Sequence, residues 1–308
     1  MSENRCAYVF PGQGSQKVGM GRDLFDYFKS SRAVFEQADE ILRFPLSKLC
    51  FEGPEEELRH TVNAQPALLA MSIATLEAAR ESGAGKIPLP AFVAGHSLGE
   101  YTALVAAGVL NFANAVLLAK ERGRLMHEAS KLNPGTMAAV IGLDESAVSE
   151  ICRDSGTWLA NINCPSQIVI SGSIEKVGKS VSLAEAKKVR AIALQVSGAF
   201  HTPLMEPACQ GLSKIIGNMN FKDPSIPIIA NSSAQPLTKS EQIKSELLAQ
   251  LCNPVQWQRS VEYMIGSGVT TFIEIGAGKV LSGLIKRINR EVKTLNIGDI
   301  NEVKTICD

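Results

Sequence analysis

A short apolar run, Ala91-Phe92-Val93-Ala94, leads into Gly95-His96-Ser97-Leu98-Gly99, and the residues after it read as a helix to Ala107 that Gly108 can cap. A serine between two glycines at this spacing is the pattern of a nucleophile elbow, a sharp strand-to-helix turn. Such a turn projects the Ser97 hydroxyl outward and aims the first amides of the helix at whatever that oxygen attacks. Acyl transfer through a serine ester is therefore the first chemistry suggested. The pentapeptide also occurs by chance in turns, so the rest of the chain must supply its context.

At 308 residues the chain is long enough for a sizeable core, either one large domain or a large one with a smaller insertion. Lysine plus arginine equals aspartate plus glutamate at 31 each, with no basic run or aromatic-spaced basic stripe, so nucleic acid is not an expected partner. The seven cysteines (6, 50, 152, 164, 209, 252 and 307) are scattered and contain no Cys-x-x-Cys pair. That pattern indicates neither a disulfide framework nor a metal site, and it suits reduced thiols in a cytosol. Met1 to Cys6 carries no apolar leader, and no apolar run approaches the roughly 18 residues a bilayer requires, so a cytoplasmic chain without membrane contact is expected.

Residues 7–10 read as a buried strand ending at Pro11-Gly12-Gln13-Gly14. A helix is predicted to begin near Pro66 and stop before Gly83, and a further one to run from about Phe112 to Ser130. With the strand before the elbow, this alternation predicts a mainly parallel sheet covered on both faces. After Pro134-Gly135 the pattern changes: strand 137–143, helix 145–154, strands 158–163 and 167–171, helix 175–187 and strand 190–196. This β-α-β-β-α-β order is the ferredoxin-like unit. It reads as a small domain of residues 132–197 inserted in a discontinuous α/β domain of residues 1–131 and 198–308, the latter rejoined by helices 205–219, 239–251 and 257–266 and strands 227–231 and 270–275. Two units in one chain suggest a shared cleft.

A serine hydroxyl needs a base within hydrogen-bond reach, usually histidine. Of the four histidines, His60 lies in a polar stretch, His127 on an amphipathic helix, and His96 points away from its neighbour Ser97 at a tight turn. His201, in Ser197-Gly198-Ala199-Phe200-His201-Thr202-Pro203, sits where the insertion meets the larger unit and is the candidate base. An acidic orienter between serine and histidine would be Asp144 or Asp154, both inside the insertion, so a dyad oriented by a backbone group is the better fit. Gly12-Gln13-Gly14-Ser15 and Gly276-Ala277-Gly278-Lys279 each lack part of a nucleotide-loop pattern. The first can instead bring its backbone close and set the Gln13 amide near a developing oxyanion. Arg122 lies on a helix, where arginine is usually solvated; turned into the cleft, its planar fork would hold a substrate carboxylate.

Phe10-Pro11-Gly12-Gln13-Gly14-Ser15-Gln16, Gly95-His96-Ser97-Leu98-Gly99-Glu100-Tyr101, Arg122, Gly198-Ala199-Phe200-His201 and Asn253-Pro254-Val255-Gln256-Trp257 occur in that order. Together with Glu274-Ile275-Gly276-Ala277-Gly278-Lys279-Val280-Leu281, they resemble the malonyl-CoA:acyl carrier protein transacylases over essentially the whole chain. The resemblance implies an α/β-hydrolase-like large domain with a ferredoxin-like insertion. It implies Ser97 as nucleophile, His201 as base, the amides of Gln13 and Leu98 as oxyanion hole, Arg122 on the malonyl carboxylate, and the main-chain carbonyl of Gln250 orienting His201. Phe200 resembles the residue of malonyl-type enzymes that leaves little room for a methyl branch, and Asn163 matches a family segment facing the cleft. Malonyl-CoA and acyl carrier protein are then the partners of a monomer, with no metal or cofactor beyond the thioester and the carrier's phosphopantetheine.

Two further readings stand beside transfer. A serine acyl hydrolase would use water as acceptor, and a carboxylate-anchoring Arg122 argues against it for neutral acyl groups. A non-catalytic scaffold is disfavoured by the presence of both Ser97 and His201. A malonyltransferase serving a polyketide pathway has the same chemistry with a different carrier. Lys187, Lys188 and Arg190 are candidates for meeting the acidic helix of a carrier.

Overall fold

The computed structural model describes residues 5–83 and 87–307, the side chain of Cys307 excepted. The expectation that no leader occupies the first residues falls largely outside that range. Strand β1 (Arg5–Phe10) is buried along five of its six residues, as a central parallel strand must be. Four helices follow, the short α1 (Arg22–Tyr27), the longer α2 (Lys29–Leu42), and the short α3 (Leu46–Glu52) and α4 (Glu55–Arg59). Helix α5 (Thr61–Ser82) is buried on nearly all sides. It starts one turn before the expected Pro66, because His60 already accepts from the amides of Asn63 and Ala64. A proline in the second turn forfeits a single intrahelical bond, so Thr61–Gln65 forms a first turn ahead of it.

The elbow matches its expected geometry: β2 (Pro90–Gly95) runs into the turn at Ser97, whose φ is +51°, and α6 (Gly99–Ala106) begins two residues later. A Cβ on Gly95 would lie 1.8 Å from the Gly99 carbonyl carbon, and one on Gly99 2.0 Å from the Phe10 oxygen. Both glycines are there because backbone occupies the side-chain space. Helix α7 (Phe112–Leu132) is capped by Asn111, which accepts from the Asn114 amide. Its Gly123 lets it press against α5, since a Cβ there would sit 2.7 Å from the Thr61 oxygen. That close approach sets the neighbouring Arg122 beside Gln65.

Then come β3 (Gly135–Ile141), α8 (Glu145–Ser155), β4 (Trp158–Cys164), β5 (Gln167–Ser173), α9 (Ile174–Ala186) and β6 (Arg190–Ala193). They form an antiparallel sheet in the order β4-β5-β3-β6, the strand order of a ferredoxin-like unit. Strand β6 is shorter than expected: the chain leaves the sheet edge after Leu194, whose amide still bonds the Met137 carbonyl, and travels towards His201.

A 3-10 turn at Pro203–Met205 opens the return, followed by α10 (Glu206–Gly217), β7 (Ile228–Ile229), β8 (Pro236–Leu237), α11 (Ser240–Cys252), α12 (Trp257–Gly266), β9 (Val269–Ile275), α13 (Val280–Ile288), β10 (Lys293–Ile297) and α14 (Ile300–Cys307). The six-stranded sheet runs β10-β9-β1-β2-β7-β8, parallel throughout except for the last pair. The expected strand and helix orders of both units are therefore observed. The sheets join at Val255, whose amide bonds the Ala160 carbonyl and whose carbonyl accepts from Ile162, so Asn253–Trp257 is the seam between them. Arg259 reinforces it with two bonds of 2.9 and 3.0 Å to Glu145. Among the described residues no helix is long and apolar enough to cross a membrane.

Candidate active site

Ser97 and His201 meet at the ends of β2 and of the loop after β6. The Ser97 Oγ lies 2.9 Å from His201 Nε2, and His201 Nδ1 lies 2.8 Å from the main-chain oxygen of Gln250. A carbonyl only accepts, so Nδ1 carries the proton and the Nε2 lone pair faces the serine hydroxyl. Asp144 instead caps α8 and Asp154 lies on the surface, so neither orients the histidine. Burial, together with the nearby Arg122 charge, pushes His201 down to about 3, and the Gln250 carbonyl only partly opposes this. His201 is thus a neutral acceptor across the physiological range.

Arg122 is not on the surface; it is 1% exposed. Its guanidinium donates to Gln65 Oε1 at 2.8 Å, Gln250 Oε1 at 2.7 Å and Ser97 Oγ at 3.1 Å, and it lies over the Tyr101 ring. No carboxylate pairs with it among the described residues, and its Nε has no partner. A buried cation held only by neutral acceptors is one salt bridge short of compensation, which suits it to an incoming anion.

The elbow is clamped by Asn231, which accepts from the Ser97 amide at 2.7 Å and donates to the Gly95 carbonyl at 2.7 Å. The Gly99 amide is taken by the His96 carbonyl, so the amide between them, Leu98, is the one the turn offers a ligand. Gly12 packs against the same carbonyl, where a Cβ would sit 2.3 Å from the oxygen, and this holds Gln13 at the elbow. The Gln13 carboxamide, expected to face an oxyanion, instead donates to Thr61 Oγ1 at 3.1 Å, so only its main-chain amide is left for that role. Gln250 also donates through its side chain to the Ser97 carbonyl and to Glu100. Burial, with Glu246 close by, raises Glu100 well above the usual carboxylate range, against the Gln250 side chain and Asn231 amide that donate to its two oxygens.

These groups open into a cleft of about 250 Å³. Asn163 lies in it, 2.8 Å from His96 Nε2, which fixes His96 away from the serine; Phe200 is buried at its edge. Met137, Ala139 and Val169 of the small sheet make the opposite wall, and Val280, Leu281 and Leu284 of α13 close one side. Glu274 seats that helix by accepting from the Leu281 and Ser282 amides, so the Gly276–Lys279 turn is structural. Sequence reasoning missed Gln65, Asn231 and Glu246. Glu100 was read only as part of a resembling motif.

A family profile described as acyl transferase domain matches residues 7–301. A malonyl CoA-acyl carrier protein transacylase of Bacillus subtilis is 47% identical over 302 residues, covering 96% of this chain and 94% of the relative. The crystal structure of an acyl-carrier-protein-S-malonyltransferase from Bartonella henselae, 42% identical, superposes with a TM-score of 0.94 over 98% of each chain. A malonyl-transacylase in complex with a type II PKS acyl-carrier protein, 38% identical, gives the same TM-score over 98% of this chain and 99% of that one.

Proposed function

The chain belongs to the acyl transferase domain family as a malonyl CoA-acyl carrier protein transacylase, and we propose that Ser97 and His201 carry the transfer. The enzyme moves a malonyl group from coenzyme A to the thiol of acyl carrier protein, supplying malonyl-carrier for fatty-acid synthesis. In the first half-reaction the Ser97 oxygen attacks the thioester carbonyl while His201 Nε2 takes its proton. The C–S bond then breaks, and the proton passes to the departing coenzyme A sulfur. In the second, the carrier thiol gives its proton to Nε2, its sulfur attacks the malonyl ester, and Ser97 recovers the proton as the C–O bond breaks. The main-chain amides of Gln13 and Leu98 receive the negative oxygen in both steps; one such donor is worth roughly 10²–10³ in rate. Gln250 holds His201 in its productive tautomer through its carbonyl.

The observation that carries the substrate assignment is the buried Arg122 beside Ser97, without a carboxylate partner among the described residues. Its guanidinium would take the free carboxylate of a malonyl group and retain the acyl chain against the serine. A hydrolase of neutral acyl groups has no use for that charge. Phe200 limits the room for a branch beside the ester, and Asn163 lines the pocket. Residues 132–197 act as an inserted unit, the enzyme works as a monomer in the cytoplasm, and the exposed Lys187, Lys188 and Arg190 meet the acidic carrier. The same half-reactions would serve a polyketide carrier, the kind of partner bound by one structural relative.

The test is intact-protein mass after brief exposure to malonyl-CoA, then after adding phosphopantetheinylated carrier. A malonyl adduct on Ser97 that moves to the carrier is expected. An adduct cleared by water without gain on the carrier would mean a hydrolase, and no adduct with any acyl-CoA would return the scaffold reading.

A further inference from the structure

We propose that Glu206, Cys209 and Cys252 form a site for a thiophilic divalent cation of the zinc and cadmium class, outside the catalytic cleft at the junction of α10 and α11. Glu206 opens α10 and Cys209 follows three residues later, so both side chains lie on one helix face. Cys252 is the last residue of α11. The two helices meet here: the Cys209 thiol lies 3.6 Å from the Leu248 carbonyl, one turn before Cys252, and the Cys252 thiol lies 3.8 Å from Glu206 Oε2. The two sulfurs and a carboxylate oxygen all fall within 4.8 Å of one another.

Two thiolates and a carboxylate are a donor set for a tetrahedral d¹⁰ cation, with solvent in the fourth position. Metal–sulfur bonds of about 2.3 Å place tetrahedral donors roughly 3.5–3.8 Å apart, so side-chain rotations closing the cluster by about 1 Å complete the coordination. Both thiols are half-buried and free, and Glu206 is exposed, which gives a cation an entry path. The carboxylate aimed at Cys252 favours a cation over a redox pair, since a disulfide needs two sulfurs and no third donor. Neither cysteine lies in a Cys-x-x-Cys spacing, so the sequence carries no sign of this site; two helices distant in sequence assemble it. Cys252 follows Gln250 by two residues on the helix that presents Gln250 to His201, so an occupied site ties that segment to α10.

The test is titration of the full-length chain with Cd²⁺, metal-free and kept reduced with a phosphine, followed by ultraviolet absorption and melting temperature. One equivalent should bind, with a thiolate-to-cadmium charge-transfer band and a rise in melting temperature, and a large excess of Zn²⁺ should compete for the same site. Cys209→Ser and Cys252→Ser should each lose the band and the stabilisation, and Glu206→Gln should bind roughly tenfold more weakly. Metal-free, all three variants should melt and transfer malonyl as the parent does, which shows that they fold. An undiminished band in either cysteine variant would overturn the proposal, as would unchanged affinity in Glu206→Gln. Failure to bind Cd²⁺ would overturn it too, including the case in which intact mass shows the two thiols joined by loss of two hydrogens.

Discussion

The two walls of the cleft are made of different material. The wall from the six-stranded sheet and its connections carries Ser97, His201, Arg122 and Gln250, linked by hydrogen bonds of 2.7–3.1 Å. The wall from the four-stranded sheet presents Met137, Ala139 and Val169 beside the polar Asn161, Asn163 and Gln167, with Asn163 bonded across the cleft to His96. Reaction chemistry depends on atoms held within tenths of an ångström, so the first wall is over-determined: Asn231 clamps Ser97, Gln65 and Gln250 clamp Arg122, and a carbonyl clamps His201. The apolar side chains of the second wall only have to supply volume and exclude water, and they tolerate hydrophobic change of similar size. The first wall should therefore govern kcat and the second KM and acyl selectivity.

The largest effects should come from the first wall. Ser97→Ala should abolish the malonyl adduct in intact mass and lower transfer roughly 10⁴-fold or more, and His201→Ala should lower it about 10³-fold with little change in KM. A Ser97→Ala protein that still forms the adduct would break the division at its base. Arg122→Ala should reduce malonyl transfer roughly 10²-fold and acetyl transfer far less, because only malonyl offers the carboxylate. Steady-state rates with both thioesters decide this, and equal losses would remove the carboxylate anchor. Phe200→Ala stands between the walls: competition between methylmalonyl- and malonyl-CoA should shift about tenfold towards the branched thioester.

Met137→Ala, on the second wall, should raise KM about fivefold, near 1 kcal/mol of lost apolar contact, with kcat almost unchanged. A fall in kcat instead would show that the small sheet positions the chemistry. The smallest effect concerns pH. His201 is held well below the ordinary imidazole range, so its base form persists as pH falls, and acylation should stay flat from about pH 7.5 to about 5.5. Stability moves the other way: the unfolded chain binds a proton at this residue below about 6.5 while the folded chain does not, so folding weakens as pH drops below that value. Single-turnover acylation and thermal melts over the same pH series separate the two.

Much of this was legible beforehand, for reasons specific to each residue. Four histidines leave few candidates for a base, and Gly95 and Gly99 mark a turn that local sterics impose. The small sheet was readable because its strands and two helices follow one another in the β-α-β-β-α-β order. Helices α1, α3 and α4 were not anticipated because they are too short to show a period, whereas α2 and α13 carry an amphipathic pattern that was passed over. Asn231, Gln65 and Glu246 were invisible for another reason: a buried polar residue resembles an exposed one until its partner is known, and these partners lie on remote elements.

From residue order alone came the inventory of reactive groups, the elbow and the succession of strands and helices, because these depend on side-chain chemistry and on steric contacts among near neighbours. Packing decided which groups meet. Arg122 leaves the usual fate of a helical arginine because Gly123 lets α7 close on α5, and that contact buries the guanidinium beside Ser97. His201 gains its orienting carbonyl because α11 ends where it does. A 2.8 Å hydrogen bond between residues 49 positions apart is set by how helices and sheets seat against one another, and no local stretch of sequence encodes that distance.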